Sequence, residues 1–449
     1  MKDLYLLNAT QISGLLAEKK IKIQDYFESL INRVKVKEPF VESWEYFDEE
    51  LFASKGEKIA KIFSKSNQNK KLIGIPVGIK DVFNTADMPT CMGSKIWEGF
   101  TPGNNARVVD DIIYDGGVVM GKTVTAEFAV HNPGKTLNPH NANHIPGTSS
   151  SGSAASVASG MVPLALGTQT AGSTSRPASY CGVYGFKPSF GIVPRTGILK
   201  TLDTLDHVTI FSRKSNDTKM LLDTIRVRGK NHPYVYKNID MAKSDHQMPS
   251  KIRVAFIKTY VWGNAENYMQ KLIENFVSDI SSIDSIILDE IELPKELMDT
   301  HINHKLVYSK AIAYYFSDEY LNHYEKLSDS FKQMVEYGQT IKKEDYFDAL
   351  KHQVRAQKAM DDFFANYDIV VSMSTVGEAP TIKNPDELDD AALIWTYAHT
   401  PSFNVPISIG PTNLPVSVQL VSKRYDDYKL LSFVEMLEQK LLIPEVKIV

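Results

Sequence analysis

Serine, glycine and alanine dominate two short stretches of the chain, PGTSSSGSAASVA at 146–158 and TQTAGSTSRPASY at 168–180. A flexible linker would be bounded by polar chain, but SGMVPLALG between the two stretches is apolar and is typical of a buried segment. Buried backbone polar groups need hydrogen-bond partners. Serine and glycine at the edge of a core supply hydroxyl groups, small size and unusual backbone dihedrals. We therefore predict that the two stretches are ordered loops that meet at one chemical site.

A third stretch, GGVVMGKT at 116–123, matches the phosphate-loop pattern G-x-x-x-x-G-K-T. A phosphate loop follows a buried strand and opens a helix, so that its backbone N–H groups turn toward the phosphates. Here the apolar residues Val118, Val119 and Met120 predict a buried strand inside the motif itself. The segment is therefore interpreted as part of the core and not as a nucleotide site.

Two other kinds of site are disfavoured by the sequence. His140 and His144 lie among Pro and Asn rather than on a helix, and His301 and His304 have no glutamate between them, so we expect no bound metal. The sequence also contains no G-x-S-x-G, which excludes the nucleophile elbow of the α/β-hydrolases.

Length and composition are those of a globular protein. The 449 residues are 43% hydrophobic and 23% charged, which is enough to bury a large core without a disulfide or a metal. The net charge of -4 gives no reason to expect nucleic acid or an anionic membrane as a partner. The chain has two cysteines, Cys91 and Cys181, a polar N-terminus MKDLYLLNATQISG, and no window near the ~18 apolar residues of a membrane helix. These features predict a cytoplasmic protein.

The hydrophobic pattern alternates between the period of strands and the period of helices. Short apolar runs predict strands at 73–79, 118–120, 163–168, 251–257, 285–293, 367–373 and 417–423. Helical periodicity predicts helices within 9–37, with Thr10 as a cap, and at 106–114, 153–160, 295–324, 343–366 and 426–441. The segment 225–250 is the most loop-like. The alternation indicates an α/β protein, and without a repeat or a clear linker the chain is predicted to form one large domain, 1–449.

Three segments together carry a resemblance to a known family. GIPVGIKD at 74–81, PGTSSSGSAASVASGMVPLALGTQTAGS at 146–173 and GFKPSFGIVPRTG at 185–197 resemble the signature of the amidase signature family of serine hydrolases. The resemblance is strong over about 70–210, the predicted signature core, and continues weakly in NVPISIG and LPVSVQLV near the C-terminus. It implies a mixed β-sheet core covered by α-helices on both faces, hydrolysis of carbon–nitrogen bonds, and no cofactor.

The resemblance also implies which residues are catalytic. Matched residue by residue, the Ser–cis-Ser–Lys triad of the family falls on Lys80, Ser149 and Ser173, with a cis peptide before Ser149. A serine hydroxyl is a weak nucleophile until a base removes its proton, and lysine with its ordinary pKa of about 10.4 is protonated near neutral pH. Burial in the apolar GIPVGIK run would hold Lys80 neutral. Ser149 would relay the proton of Ser173, because a hydroxyl both donates and accepts.

The other site residues follow from the same resemblance. Preorganised N–H groups must stabilise the oxyanion of the tetrahedral intermediate. These are implied to be the backbone N–H groups of Thr170, Ala171, Gly172 and Ser173. Four further residues are predicted to support the loops: Thr148, Ser150, Gln169 and Arg176. Arg176 either pairs with a carboxylate and fixes the nucleophile loop, which is the favoured interpretation, or is simply exposed.

The sequence departs from the common family pattern at three positions. Thr148 stands where glycine is frequent, and Gln169 and Ala171 replace the aspartate and the first glycine of the common TDTGGS. Gln169 removes a charge near the site, so we expect neutral hydrogen bonds where relatives have an ion pair. All three triad positions are filled.

The predicted substrate is a small-molecule amide or urea-like compound, hydrolysed through an acyl-enzyme. The region of about 211–400 matches least and is expected to line the substrate. Aromatic residues of 307–324 belong either to the core or to an acyl pocket. The alternative function is a glutamine-hydrolysing subunit of a tRNA-dependent amidotransferase, which would share the triad and need a partner chain. A homodimer is an expectation from the family.

Overall fold

A computed structural model describes residues 3–63, 70–130, 132–228, 248–387 and 389–449. The strands, numbered in chain order, are β1 Trp44–Tyr46, β2 Pro76–Lys80, β3 Val118–Thr123, β4 Leu164–Gln169, β5 Tyr184–Lys187, β6 His207–Ser212, β7 Ile252–Phe256, β8 Ile286–Glu290, β9 Ile369–Met373, β10 Ser402–Ile409 and β11 Pro415–Ser422.

The α-helices of the same residues alternate with these strands along much of the chain. They are α1 Ala9–Ala17, α2 Ile23–Val41, α3 Glu49–Phe63, α4 Arg107–Tyr114, α5 Ser151–Ala158, α6 Ser175–Cys181, α7 Ser215–Ile225, α8 Asn267–Ser281, α9 Thr300–Tyr315, α10 Ser317–Asn322, α11 Asp329–Thr340, α12 Lys343–Phe363, α13 Leu393–Tyr397 and α14 Asp427–Gln439.

The strands form one mixed sheet. Its eleven strands lie in the order β1-β3-β2-β4-β6-β5-β10-β11-β9-β7-β8. The neighbours β3, β2 and β4 are parallel, and so are β9, β7 and β8, while the strands between these two groups pair antiparallel. The predicted α/β domain with a mixed sheet is confirmed.

Helices cover both faces of this sheet, as the family resemblance implies. Successive strand residues point to opposite faces. In β7, Val254 and Phe256 belong to one buried apolar cluster with residues of α8, while Ala255 between them belongs to a second cluster with residues of α9 and α12. Val370 and Val371 of β9 divide in the same way. A strand buried on both faces needs apolar residues at every position, which explains the unbroken apolar runs of the sequence.

Two local predictions were wrong. The predicted helix 295–324 is divided, because Phe316 leaves the helical region with φ -109° and ψ 26°. Its ring packs against Phe128 and Phe331 at centroid distances of 4.7 and 5.2 Å, so tertiary packing overrides the local helical preference. Helix α1 is capped by Asn8, whose side chain accepts from the N–H of Gln11, whereas the Thr10 hydroxyl donates to Asp217.

Most of the predicted loop 225–250 lies outside the described residues. The aromatic residues of 307–324 are divided. Tyr308 and Phe316 are buried in the second cluster, Tyr315 and Tyr320 pack partly buried against it, and Tyr314 and Tyr324 are exposed. Across the part of the chain that the structure describes, none of the helices combines the length and the apolarity needed to cross a bilayer.

Candidate active site

Lys80 is the last residue of β2 and is completely buried. Its Nζ lies 2.7 Å from Oγ of Ser149, 2.8 Å from Oγ1 of Thr168 and 3.1 Å from Oγ of Ser150. No carboxylate forms an ion pair with Lys80 among the described residues. Burial lowers the pKa of Lys80 well below its ordinary value, and the more distant charge of Asp206 opposes this shift. The amine is therefore surrounded by hydroxyl groups under conditions that favour its neutral form.

The hydrogen bonds of these hydroxyls indicate which of them can donate to a neutral amine. A neutral amine donates two hydrogen bonds and accepts one, so one hydroxyl must donate to Nζ. The hydroxyl of Ser150 donates to the carbonyl of Thr168 at 3.1 Å, and its oxygen accepts from the Thr168 N–H at 3.3 Å. Neither Ser149 nor Thr168 has such a second acceptor for its hydroxyl within the described ranges. Either hydroxyl can therefore donate its proton to Lys80 or to another oxygen.

The sheet places the two serine-rich loops side by side. Because β2 and β4 are parallel neighbours, their carboxyl ends meet at the same edge of the sheet. Lys80 ends β2, and β4 ends at Gln169, directly before the loop that carries Ser173. The N–H of Ser150 donates to the carbonyl of Ser173 at 3.3 Å, which joins the two loops. The prediction that both patches meet at one site is confirmed.

The Thr148–Ser149 peptide bond is cis, as the resemblance implies. It lies just before α5, whose residues from Ser151 onward are fully buried small side chains. The carbonyl of Ser149 accepts from the N–H of Ala126 at 3.2 Å. This turn presents the Ser149 hydroxyl to Lys80.

The loop 170–173 has unpaired N–H groups and paired carbonyl groups. The carbonyl of Thr170 accepts from His304 Nε2 at 3.0 Å, that of Ala171 from Thr396 Oγ1 at 2.7 Å, and that of Gly172 from a backbone N–H at 3.0 Å. Within the described chain, none of the four N–H groups of this loop has an acceptor. Buried N–H groups are nearly always paired, so four in succession mark a place prepared to receive an oxygen atom.

Ser173 ends this loop and is 7% exposed. Its hydroxyl has no hydrogen-bond partner in the described part of the chain, in contrast to the hydroxyls around Lys80. The side chain is therefore free to face a substrate beside the unpaired N–H groups.

Gln169 has a side-chain amide where the common family pattern has a carboxylate, and both its oxygen and its nitrogen form hydrogen bonds. Its Oε1 accepts from the N–H groups of Thr174 and Ser175 at 2.8 and 3.1 Å, where α6 begins. Its Nε2 donates to Thr396 Oγ1 at 2.9 Å, and that hydroxyl in turn holds the carbonyl of Ala171. The expected neutral hydrogen bonds are present, and they link the start of α6 to the loop 170–173.

Arg176 is buried in a charged network that the sequence did not reveal in full. Its guanidinium lies 2.5 Å from Asp390 and 3.5 Å from Glu387, and donates to the carbonyl of Thr148 at 3.3 Å. Glu387 also accepts from the N–H of Thr148 at 3.0 Å and from its hydroxyl. The predicted pairing of Arg176 with a carboxylate is therefore present. Two carboxylates more than 200 residues further along the chain thus fix both loops.

Asp390 also limits which residue can occupy position 172. A Cβ atom built on Gly172 would lie 2.3 Å from Oδ1 of Asp390, a distance that real Cβ atoms do not adopt. The glycine is therefore required by the close approach of this carboxylate.

Lys122, the lysine of the phosphate-loop pattern, has a different role. It lies on β3 opposite Ile79, one residue before Lys80, and the predicted strand within the motif is confirmed as Val118–Thr123. Its Nζ is buried 2.9 Å from Asp81 and also donates to Thr90 Oγ1 at 2.6 Å. Both ends of this ion pair are almost inaccessible to solvent. The motif therefore serves the core beside Lys80.

Three of the four histidines identified in the sequence contact backbone carbonyl groups, and the fourth, His301, contacts the ring of Tyr260. His140, His144 and His304 each have a ring nitrogen within 3.0 Å of a carbonyl oxygen. Among the described residues, no group of three or more His, Cys, Asp or Glu side chains is placed to hold a metal ion.

Comparison with known proteins is consistent with this geometry. A sequence model of the amidase family matches residues 25–431. The A subunit of the glutamyl-tRNA(Gln) amidotransferase of Staphylococcus aureus is 28% identical over 459 residues, which cover 93% of this chain and 93% of that protein. The native peptide amidase from Stenotrophomonas maltophilia superposes with a TM-score of 0.84 at 20% identity, over 98% of each chain.

A second solved structure shares the fold across its length. The corresponding glutamyl-tRNA(Gln) amidotransferase protein from Thermotoga maritima superposes with a TM-score of 0.79 at 23% identity and covers 100% of this chain and 99% of that one. At such identities the two structures show that the fold is shared.

Proposed function

The chain belongs to the amidase family, whose members cleave carbon–nitrogen bonds, and on this basis we propose that it hydrolyses a small-molecule amide or urea-like compound with Ser173 as nucleophile. The observation that carries this proposal is the burial of Lys80 beside the hydroxyl of Ser149, 2.7 Å away and without a carboxylate partner in the described chain. A lysine in this setting can act as a base near neutral pH.

In the proposed first half-reaction, the proton of Ser173 passes to Ser149 while the proton of Ser149 passes to Nζ of Lys80. The oxygen of Ser173 then forms a bond to the carbonyl carbon of the substrate. The four unpaired N–H groups of 170–173 stabilise the negative charge on the carbonyl oxygen. When the carbon–nitrogen bond breaks, the proton returns from Lys80 through Ser149 to the leaving nitrogen, and the acyl group remains on Ser173.

In the second half-reaction, water attacks the ester formed on Ser173. Lys80 takes a proton from the water through the same serine relay and returns it to the oxygen of Ser173 when the ester bond breaks. The products are a carboxylic acid and ammonia or an amine. Each step uses the same base, so a single lysine serves acylation and deacylation.

The experiment that tests this proposal combines labelling with turnover. A serine-reactive fluorophosphonate should label Ser173, identified by mass spectrometry, and ammonia release from simple amides should be measured on the same preparation. Ser173→Ala should abolish labelling and lower the turnover rate by about 10⁴-fold or more, as loss of a serine nucleophile does elsewhere. Labelling at another residue, or undiminished turnover, would contradict the proposal.

Ser156→Ala is a matched control. Ser156 is buried in α5, and its hydroxyl donates only to the carbonyl of Ser153 at 3.1 Å. The control variant tests whether loss of a buried hydroxyl near the site is enough to reduce turnover.

The glutamine-hydrolysing subunit remains the second candidate because of the similarity to the amidotransferase protein of Staphylococcus aureus over 93% of both chains. Under that proposal the substrate is glutamine, and the ammonia is passed to a partner chain. The isolated protein should be assayed with glutamine and with a panel of other amides, both uncharged and charged. Preferential hydrolysis of amides other than glutamine by the isolated chain supports the first proposal, and activity on glutamine that rises on addition of partner chains supports the second.

A further inference from the structure

A cavity of about 370 Å³ adjoins the loop 170–173. It is lined by Thr168, which contacts Lys80, and by Thr170 of the loop. The rest of its wall comes mainly from 191–208, within the segments that follow β5. Cavities of this size hold small organic ligands. The cavity is therefore the natural place for the part of a substrate that lies beyond the reacting carbonyl.

The acidic groups of this cavity are already occupied. Asp206 accepts from the N–H groups of Thr201 and Leu202, both at 2.9 Å, and from two hydroxyls at 2.6 and 2.7 Å. Asp203 lies 3.1 Å from Lys200 and also accepts from the hydroxyl of Tyr315. Both carboxylates therefore already accept from donors of this chain.

Arg195, by contrast, has few partners in the part of the chain that the structure describes. Its guanidinium carries five N–H donors, and among these residues it has one acceptor, the backbone carbonyl of Asp206 at 3.3 Å. The cation lies over the ring of Phe190, with 4.8 Å between the guanidinium carbon and the ring centroid. No carboxylate pairs with Arg195 in the described ranges. A half-buried guanidinium with free parallel donors is the preferred partner of a carboxylate.

His207 is a second polar residue of the same wall, and one of its two ring nitrogens has no partner among the described residues. Its side chain is 4% exposed, and its Nδ1 must donate to the carbonyl of Leu205, because a carbonyl oxygen cannot donate. Burial lowers the pKa of His207 well below its ordinary value, so the ring is neutral and Nε2 is an acceptor. Nε2 is buried without a hydrogen bond in the described chain. His207 therefore adds no charge to the wall, and the cation of Arg195 remains the charged group to which a ligand carboxylate could bind.

We propose that this cavity receives the acyl part of the substrate and that Arg195 binds a carboxylate on it, so that the preferred substrates are half-amides of dicarboxylic acids. This inference rests on the proposed function. Asp206 alone bridges Arg195 and the first residue of the loop 170–173, since its carbonyl contacts Arg195 and its Oδ1 contacts the hydroxyl of Thr170. A substrate with a short chain between carboxylate and amide is therefore the one to test.

The test compares two amides that differ in charge at one end. Succinamate carries the carboxylate and butanamide, of the same chain length, does not; hydrolysis of the first consumes water and gives succinate and ammonia. We expect kcat/KM to be about 10- to 100-fold higher for succinamate, the range of a charged hydrogen-bonded pair. Arg195→Met should reduce this ratio to near one. Arg195→Lys should keep part of the preference, since it keeps the charge without the paired donors.

Arg107→Met is the matched control. Arg107 lies on α4 outside this cavity, where it pairs with Asp111 at the surface. The succinamate preference should be the same in this variant as in the natural chain. Inhibition of the natural chain by succinate but not by butanoate gives a readout that needs no variant and therefore does not depend on the folding of Arg195→Met.

Two outcomes overturn the inference: no preference for succinamate in the natural chain, or a preference that Arg195→Met leaves intact. Fluorophosphonate labelling separates these from failure of the proposed function. If Ser173 is labelled and butanamide is hydrolysed without a succinamate preference, only the role of Arg195 is lost. If neither amide is hydrolysed and Ser173 is not labelled, the proposed function itself is wrong.

Discussion

Two lysines on neighbouring parallel strands are buried in opposite kinds of surroundings. Lys80 at the end of β2 is held by three hydroxyl groups, and Lys122 on β3 is held by the carboxylate of Asp81. Burial lowers the pKa of both, but the adjacent Asp81 acts against this for Lys122, whereas only the more distant Asp206 does so for Lys80. The same residue type thus forms a structural ion pair in one place and a candidate base in the other.

The difference shows that the hydrogen-bond partner, more than the degree of burial, decides which protonation state of a buried lysine is stabilised. Hydroxyl groups can accept from an ammonium and donate to an amine, so they tolerate both protonation states of Lys80. A carboxylate stabilises only the ammonium. Asp81 is adjacent to Lys80 in sequence, so Lys122 also compensates a negative charge that would otherwise lie close to the candidate base.

The largest expected effect is a loss of activity on replacement of Lys80. Lys80→Met should lower kcat/KM by about 10²- to 10⁴-fold, because general-base catalysis contributes on this scale. Lys80→Arg should be equally inactive, since arginine keeps the charge but does not lose its proton. Steady-state ammonia release measures both.

The exposed residue Lys351 provides the control for this pair of variants, because it contacts only Asp348 at the surface. Lys351→Met should retain full activity. Activity in Lys80→Arg comparable with that of the natural chain would show that Lys80 does not act as a base.

The second prediction concerns the stability lost when Lys122 is replaced. Lys122→Met leaves Asp81 as a buried charge without compensation, which should lower the free energy of unfolding by about 3–5 kcal/mol. Lys80→Met leaves no uncompensated charge and should cost less. Urea denaturation of both variants measures the difference.

A double variant tests the reason for that loss. Adding Asp81→Asn to Lys122→Met removes the uncompensated charge and keeps an acceptor for the N–H groups of Cys91 and Met92, which Asp81 binds at 2.9 and 3.0 Å. The double variant should recover about 1–3 kcal/mol of the loss. No recovery would mean that Lys122→Met acts through packing alone.

The third prediction concerns the pH dependence of activity and stability that the pKa of Lys80 implies. The pKa of Lys80 is lower in the folded chain than its ordinary value of 10.5. Between these two pH values the unfolded chain binds more protons than the folded chain, so the contribution of Lys80 to the free energy of unfolding rises with pH. Activity should rise with pH through the lowered pKa, as the neutral amine forms. The unfolding free energy of Lys80→Met, relative to the natural chain, should therefore decline as pH approaches 10.5. A difference that stays constant from pH 7 to 10 would contradict a lowered pKa.

The smallest expected effect removes one hydroxyl from the surroundings of Lys80. Thr168→Val keeps the shape of the side chain and deletes the acceptor 2.8 Å from Nζ. Loss of one hydrogen bond should reduce kcat/KM by about 3- to 10-fold. The ammonium loses a partner, so the acid limb of the pH–rate profile should move to lower pH. A shift to higher pH would mean that Thr168 donates to the amine.

The sequence was sufficient to predict the fold class and the proximity of the two serine-rich loops. Apolar runs and the hydrophobic periodicity of strands and helices depend on residues close together in the chain, so they can be recognised without a structure. The position of Lys80 beside Ser149 followed from the resemblance, and the structure places the two atoms in contact.

What the sequence could not predict are the partners that arrive from far along the chain. Glu387, Asp390, Thr396 and His304 hold the loops, yet each lies in a segment without a motif, and only the tertiary fold brings them near 148–176. Thr168 lies in β4 just before the loop 170–173, but no sequence motif indicates that its hydroxyl contacts Lys80. Phe316 was missed for a related reason, since its packing partners are remote in sequence.

The complete enclosure of Lys80 has a chemical consequence beyond proton transfer. An unprotonated amine reacts readily with aldehydes, ketones and isocyanates, and an exposed one would accumulate adducts and lose its basicity. Lys80 is completely buried and three hydroxyls surround its nitrogen, so a carbon electrophile in solution has no access to it. If Lys80 is the base that we propose, the same enclosure protects the neutral amine from modification.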